Sequence, residues 1–415
     1  MILAGSAPSQ TTTLGSVKDG GLARIFGEVF GSASEKMGSR IEQYAEIYGL
    51  PLLTENSTSR ASVQTNPHPE CFLAVIPYNH KRETLFSEAS GPNSTRHILS
   101  EVLLSAEEDF EGAVRRIVKD QANLSVCEIQ PIARIIRSNP AGIAQDGLVF
   151  LAELAPSQDA TASTLVGRFA SEPDLQLTSL EAEIVERARD VLRQKIYATP
   201  EGEVTSARRY GGLLASAIHH RIFKPLMYVL ASRQLKRSLA GLVPKGKSML
   251  DVSAGDDSFL LTMCSDRQVD FAIANDIIWG QMESSRRTAR KQGLPVLFTS
   301  HNILDLPFKV LFDVVLFKNT LHHLRSQSEV IAALQNLKKL GRNIVIVDVE
   351  RPTYGAPRIV NTYYRRLLND AGEHFWTRSQ FRALISEVFG TSGTKFSEIR
   401  TLKGVYMVAV VKQEL

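Results

Sequence analysis

A turn of the kind that holds nucleotides lies in the stretch KSMLDVSAGDDSFLL, which begins at Lys247. Its apolar run ends at Asp251, a turn of small residues around Gly255 follows, and a helical pattern comes next. An open parallel sheet presents a nucleotide site in this way, at the carboxyl edge of its first strand. Only one glycine is present, with Ser253 and Asp257 where glycines are more usual, so the dinucleotide pattern is not met.

A second group of reactive side chains follows the apolar run in FDVVLFKNTLHHL at 312–324. Lys318 and Asn319 end the run and could orient a cofactor or a substrate, because substrates bind at the carboxyl ends of such strands. His322 and His323 follow, and their ordinary pKa near neutrality makes them candidates for moving a proton. In a helix the two rings point in different directions, so at least one is expected to be a buried, hydrogen-bonded core residue.

The elements that must position these residues alternate between strand and helix from Ser248 onward. Apolar runs such as DFAIANDI, VLFTSH and NIVIVDVE are separated by segments with helical spacing. Continuous apolar strands between helices indicate a parallel sheet that is covered on both faces. We predict a doubly wound, Rossmann-like α/β domain over residues 247–415.

Residues from about 226 to 415 resemble the class I S-adenosylmethionine-dependent methyltransferases. Five features follow the order of that family's motifs: LDVSAGDD, Asp276 at the end of the second strand, NILDLPF, FDVVLFKNTLHHL, and FWTRSQFRALISEVFG. The resemblance implies S-adenosylmethionine as cofactor, with its ribose hydroxyls on Asp276 and its adenine on Asn302. It implies cofactor contacts at Asp251, Ser253, Gly255, Asp257, Asp276, Ile277, Asn302, Ile303, Lys318 and Asn319, and a catalytic role for His322 or His323.

Each of these roles has a physical basis and, for some residues, an alternative. A bare backbone at Gly255 lets a ligand lie against the turn, and the Asp276 carboxylate can accept from both vicinal hydroxyls. The Asn302 amide can donate and accept at the adenine edge, or it can simply form a turn. Ser253 and Asp257 add side chains, so either the loop is reshaped or cofactor binding is weak, and Asp257 could instead interact with the helix dipole.

The segment after Glu350 is rich in aromatic and basic residues. In the family that it resembles, an insertion here often forms a wall over the acceptor, and these side chains would suit a flat or anionic acceptor. Ordinary helix packing is the alternative. The residues concerned are Tyr354, Tyr363, Tyr364, Arg365, His374 and Trp376.

Strand and helix patterns over 67–200 resemble a Nudix domain in their order. The stretch from Glu107 to Leu124 predicts a helix, and Glu107 and Arg115 keep the spacing of the Nudix box. Where the family carries metal-binding glutamates, this chain has Arg116, Lys119 and Asp120. Two cations at ligand positions repel a divalent metal, so we predict an α+β Nudix-like fold that has lost pyrophosphate hydrolysis and holds no metal.

Two alternatives stay open for this helix. The region could be a generic α+β domain with a charged helix. The acids Glu107, Glu108, Asp109 and Glu111 could form a relocated metal site, although pairing of Glu111 with Arg115 one turn on, as part of a solvated face, is the simpler expectation.

Length and composition set the remaining expectations. A chain of 415 residues predicts several domains: a tail with amphipathic helices at 1–66, the Nudix-like domain at 67–200, a helical connector at 201–246, and the methyltransferase-like domain. The net charge of +4 is too slight to argue for nucleic acid. Three cysteines without paired spacing, and no targeting or membrane-spanning stretch, predict a cytoplasmic protein.

The sequence thus predicts an enzyme that methylates a small-molecule acceptor, with a homodimer contact through the first helices as an option. One alternative is a non-catalytic protein that binds nucleotide or S-adenosylmethionine. The other is an RNA methyltransferase, since the 219–247 region is basic.

Overall fold

The computed structural model describes residues 33–54, 70–78, 84–88, 96–97, 99–102, 109–138, 143–154, 167–170, 179–194, 226, 232–255, 259–324, 326–351, 358–359, 375–401 and 404–414. Within the predicted 1–66 segment, residues 1–32 and 55–66 lie outside these ranges, as does most of the predicted connector over 201–246. None of the helices in the described part of the chain is long and apolar enough to cross a membrane.

A mixed eight-stranded sheet forms the N-terminal half. Its strands are β1 (Leu52–Thr54), β2 (Glu70–Tyr78), β3 (Thr84–Glu88), β4 (Arg96–His97), β5 (Leu99–Val102), β6 (Val126–Ser138), β7 (Ala144–Leu154) and β8 (Gly167–Ala170). They lie in the order β1-β6-β7-β2-β3-β4, with β5 paired to β2 and β8 to β3. The apolar runs CFLAVIPYN at 71–79, IQPIARIIRS and GLVFLAELAP, which have strand-like patterns, overlap β2, β6 and β7.

Helices cover both faces of this sheet. The helices are α1 (Ala33–Tyr48), α2 (Phe110–Ala122) and α3 (Ser179–Gln194). On β2, Leu73 packs in the cluster that contains α1 and α2, while Phe72 packs in the cluster that contains α3. The amphipathic patterns therefore match the faces that are buried, and the assignment to the Nudix class stays a prediction.

Strand β1 lies in the predicted 1–66 segment, for which a tail and amphipathic helices were expected. Leu52–Thr54 pair in parallel with Arg134–Ile136 of β6, so this part of the predicted 1–66 segment completes the N-terminal sheet. A strand of three residues is too short to show a periodic pattern, and its partner lies far along the chain. Only the tertiary pairing reveals it.

A seven-stranded sheet forms the C-terminal half. Its strands are β9 (Ser248–Asp251), β10 (Phe271–Asn275), β11 (Val296–Thr299), β12 (Phe312–Lys318), β13 (Gly341–Val349), β14 (Thr394–Thr401) and β15 (Gly404–Lys412). They lie in the order β11-β10-β9-β12-β13-β15-β14. Strand β15 runs antiparallel to β13 and β14, and all the other neighbouring pairs are parallel. The strand order reverses beside β9, which is where open sheets of this kind place their ligands.

Helices cover this sheet on both faces, as the doubly wound prediction requires. They are α4 (Arg233–Ala240), α5 (Phe259–Ser265), α6 (Glu283–Gln292), α7 (Gln327–Leu340) and α8 (Arg378–Phe389). Along β9, Leu250 packs in the cluster with α7 and α8, while Met249 packs in the cluster with α4, α5 and α6. The predicted Rossmann-like fold is confirmed.

The two halves share one hydrophobic core. Residues of α1 and α2 belong to the same buried cluster as one face of the C-terminal sheet. The ring of Tyr48 lies 5.2 Å from that of Phe308, and the amide of Lys309 donates to the carbonyl of Ile47 at 2.9 Å. The N-terminal half therefore packs against the segment that follows β11.

Candidate functional site

The turn after β9 is built around Gly255 and Asp276. Gly255 has φ = +55°, a left-handed conformation that favours glycine. Its amide donates to Oδ2 of Asp276 at 2.9 Å, and the amide of Ile278 donates to Oδ1 at 2.9 Å. The carboxylate thus holds the turn after β9 next to the end of β10.

Burial raises the pKa of Asp276 to about 6, against the opposing effect of the two backbone amides. The nearby Asp251 raises this pKa further, and the cation of Lys318 lowers it. Ile277, the next predicted contact residue, is half-buried beside it. Asp276 is consequently an acid that changes charge near neutral pH.

The Ser253 side chain bonds to the backbone of the neighbouring strand β12. Its hydroxyl donates to the carbonyl of Lys318 at 3.1 Å and accepts from the amide of Lys318 at 3.3 Å. Asp251 is buried, and its Oδ1 accepts from the Ser253 amide at 3.3 Å. The serine therefore ties β9 to β12 at the reversal point, and Asp257 lies outside the described residues.

Asn302 begins a short 3-10 turn, Ile303–Asp305, at the end of the segment after β11. Its Oδ1 accepts from the amide of Leu304 at 3.0 Å, which is the turn-forming role. Its Nδ2 is buried and has no hydrogen-bond partner in the described part of the chain. One end of the amide thus forms the turn and the other is unpaired among the described residues, with Ile303 buried beside it.

The end of β12 carries Lys318 and Asn319. Lys318 is buried, and Asn319 has φ = +57°, a conformation that asparagine adopts more readily than most residues. The Asn319 amide donates to the carbonyl of Val347 at 2.8 Å. Its Oδ1 is buried without a hydrogen-bond partner among the residues that the structure describes.

His322 is the buried, hydrogen-bonded histidine of the pair. It lies in a 3-10 turn, Leu321–His323, with Nδ1 2.6 Å from Oδ1 of Asp348 on β13. The other Asp348 oxygen accepts from the His322 amide at 2.9 Å. The His322 ring stacks on Phe375 at 5.0 Å, and the half-buried His323 ring lies 4.2 Å away.

Sequence reasoning missed Asp348, although an acid at the carboxyl end of an apolar run was a visible signal. Of the predicted acceptor wall, only Trp376 lies within the described ranges, where it is half-buried. Tyr354, Tyr363, Tyr364, Arg365 and His374 lie outside them. The structure therefore tests the predicted acceptor wall only at Trp376, next to Phe375 and the histidine turn.

Helix α2 also reaches the site, which was not expected. Glu111 is 1% exposed, and its two oxygens accept from the amide of Ser300 at 3.3 Å and the hydroxyl of Ser300 at 3.1 Å. Arg115 lies 3.8 Å from Glu111 and donates to the same hydroxyl. The predicted ion pair is present, but the prediction of a solvated face is wrong here, because this part of the helix is covered by the C-terminal half.

Burial governs the electrostatics of this pair. It raises the pKa of Glu111, opposed by Arg115 and Ser300, and it lowers the pKa of Arg115. Among the described residues, no three metal-ligating side chains come together. Glu107 and Glu108, the other acids of the alternative metal site, lie outside those residues.

The fold and the site define a Rossmann-like domain with a nucleotide-type turn at its reversal point. Residues 250–346 match the family model described as a methyltransferase domain, which covers under a quarter of the chain. This region is therefore similar to methyltransferase domains. No curated protein was found that matches the sequence.

Several solved structures resemble the chain weakly. The YcgJ protein from Bacillus subtilis is 19% identical over 41% of this chain and 71% of its own, with a TM-score of 0.33. An S-adenosylmethionine-dependent methyltransferase from Clostridium acetobutylicum is 8% identical over 48% and 98%, with a TM-score of 0.35. The DhpI–SAH complex is 16% identical over 50% and 95%, also at 0.35. TM-scores this low support no functional argument.

Proposed function

We propose that the C-terminal half transfers a methyl group from S-adenosylmethionine to a small-molecule acceptor. The observation that carries the proposal is a pair of buried amide atoms, Asn302 Nδ2 and Asn319 Oδ1, that lack hydrogen-bond partners among the described residues. They follow β11 and β12, whose carboxyl ends lie at the same edge as Asp276. An unmet buried polar atom costs about 1–3 kcal/mol, so a ligand that bonds to these atoms is expected.

The residues at this edge fit the parts of the cofactor. Asp276 would accept from its ribose hydroxyls, Asn302 would donate to its adenine, and the turn at Gly255 would lie against its amino-acid part. S-adenosylmethionine supplies a methyl group on a positively charged sulfur. The contribution of the protein is then chiefly to align the acceptor with that group.

The pair of His322 and Asp348 would remove a proton where the acceptor must lose one. Asp348 at Nδ1 favours the tautomer that carries its proton there, which leaves the basic lone pair on Nε2. His323 is the alternative base. The half-buried side chain of His323 lies at the same turn.

The proposal also covers the N-terminal half, the location of the protein and its partners. The N-terminal half would be Nudix-like, without hydrolase activity, and would bind substrate or support the site. The protein would work in the cytoplasm, which agrees with three unpaired cysteines, and a homodimer is an option. Nucleic acid is not favoured as the acceptor.

The test is binding followed by turnover. Calorimetry with S-adenosylhomocysteine should show a saturable site in the wild-type chain, and Asp276→Ala should weaken it at least tenfold, about 1.4 kcal/mol, because two hydroxyl contacts are lost. Metabolite pools should then be screened for S-adenosylhomocysteine release. A folded wild-type protein that binds neither cofactor form would refute the proposal, and binding without release from any pool would favour the non-catalytic alternative.

A further inference from the structure

The segment after β11 is held by the N-terminal half at two successive residues. Ser300 bonds to Glu111 of α2, and His301 Nε2 forms a hydrogen bond with the hydroxyl of Tyr48 of α1 at 2.8 Å. Asn302 follows directly, and all three residues of the segment are buried. The two helices thus fix the backbone that presents Nδ2 of Asn302, the atom of this side chain that lacks a hydrogen-bond partner among the described residues.

The contact at Ser300 is directional as well as buried. The serine amide and hydroxyl both donate to Glu111, while the hydroxyl accepts from Arg115. A buried ion pair is a weak source of stability, because well-packed apolar residues often serve as well or better. What the pair provides is a fixed position and orientation for Ser300.

Helix α2 also holds the segment that follows Asp276. The ring of Trp279, in the 3-10 turn Trp279–Met282, contacts the guanidinium groups of Arg115 at 4.5 Å and Arg286 at 4.1 Å. Arg286 in turn pairs with Asp109 at the start of α2. One helix therefore contacts the chain next to both the ribose side and the adenine side of the proposed site.

We propose that Glu111 is a positioning residue for cofactor binding: it fixes Ser300 and, through the adjoining backbone, the amide of Asn302. The inference rests on the proposed function, since it assigns a further residue to the same site. It gives the N-terminal half a defined part in methyl transfer, that of holding the adenine-binding segment in place.

A double-mutant cycle on the full chain tests this coupling, with S-adenosylhomocysteine affinity measured by calorimetry. Glu111→Ala and Asn302→Ala should each weaken binding about tenfold. The double variant should be little weaker than either, because both remove the same contact. Glu111→Gln should recover part of the affinity, since its amide oxygen still accepts from Ser300. If Glu111→Ala fails to fold, Ser300→Ala replaces it in the cycle.

Glu153→Ala is the matched control. Glu153 is another buried acid of the N-terminal half, bonded to the Tyr78 hydroxyl at 3.2 Å, and its loss should leave the affinity unchanged. Independent, multiplicative losses in the cycle, or no effect of Glu111→Ala, would overturn the inference while the proposed function stood. A wild-type chain that does not bind S-adenosylhomocysteine would overturn both.

Discussion

At the scale of single residues, the proposed site depends on Asp276, a buried acid whose pKa is raised. Burial keeps the pKa of Asp276 at about 6, although two backbone amides stabilise its charged form. The charged form is the better acceptor for ribose hydroxyls. Protonation of Asp276 should therefore lower the affinity for the ligand at mildly acid pH.

We expect the affinity for S-adenosylhomocysteine to fall about tenfold between pH 7 and pH 5, as Asp276 takes up a proton. Calorimetry across this range measures the effect, and Asp276→Asn should bind more weakly with little dependence on pH. In the absence of ligand, Asp276 makes the free energy of unfolding fall as pH rises, whereas most acids make it rise. The folded state keeps a proton that the unfolded chain releases near pH 4, so the stability due to this proton is lost as pH rises through about 6. A flat affinity profile in the wild type would contradict the expectation.

At the scale of elements, the turn between β9 and α5 is constrained by its backbone conformation. A Cβ on Gly255 would lie 3.8 Å from the nearest atoms, Asp276 Oδ2 and Gln281 Oε1, which is ordinary contact. Its φ of +55° is what disfavours other residues. The cost of a substitution is thus conformational rather than steric.

Gly255→Ala should lower the free energy of unfolding by about 1–2 kcal/mol, the cost of a left-handed alanine. Chemical denaturation would measure it. Gly280→Ala is the control: it has no atom within 4 Å of the added Cβ and no positive φ, so its effect should be within about 0.5 kcal/mol. Equal losses of unfolding free energy in the two variants would show that the left-handed conformation of Gly255 is not the cause of the loss.

At the scale of the whole molecule, the two sheets share a core and should unfold together. Both tryptophans, Trp279 and Trp376, lie in the C-terminal half, so their fluorescence reports on that half and, at Trp279, on its contact with Arg115 of α2. Ile117 belongs to the N-terminal helix α2 and is fully buried in the shared cluster.

Ile117→Ala should lower the free energy of unfolding by about 2–5 kcal/mol. Because the core is shared, the tryptophan transition should shift together with the far-ultraviolet circular dichroism transition. Ile143→Ala, at an isoleucine of the same half that is 40% exposed, should shift neither appreciably. An unchanged tryptophan midpoint in Ile117→Ala would mean that the halves unfold independently.

The sequence alone determined the strands and helices of the C-terminal sheet and the group of residues at the carboxyl ends of its strands. Apolar runs and helical spacing depend on local burial, so the strands and helices of the C-terminal sheet were predictable. Gly255, Asp276 and Asn302 each follow a parallel strand, and Lys318 ends one. Since the carboxyl ends of neighbouring parallel strands meet at one edge, their proximity followed from the order of the elements.

The tertiary structure decided the contacts between distant side chains. It placed Glu111 on Ser300, Asp348 on His322, and the Ser253 hydroxyl on the backbone of Lys318. Such pairs leave no periodic trace in the sequence, because each depends on how two elements pack and which way a side chain turns. For the same reason a helix expected to face solvent proved to hold the segment of Asn302, and only the packing of the two halves could reveal it.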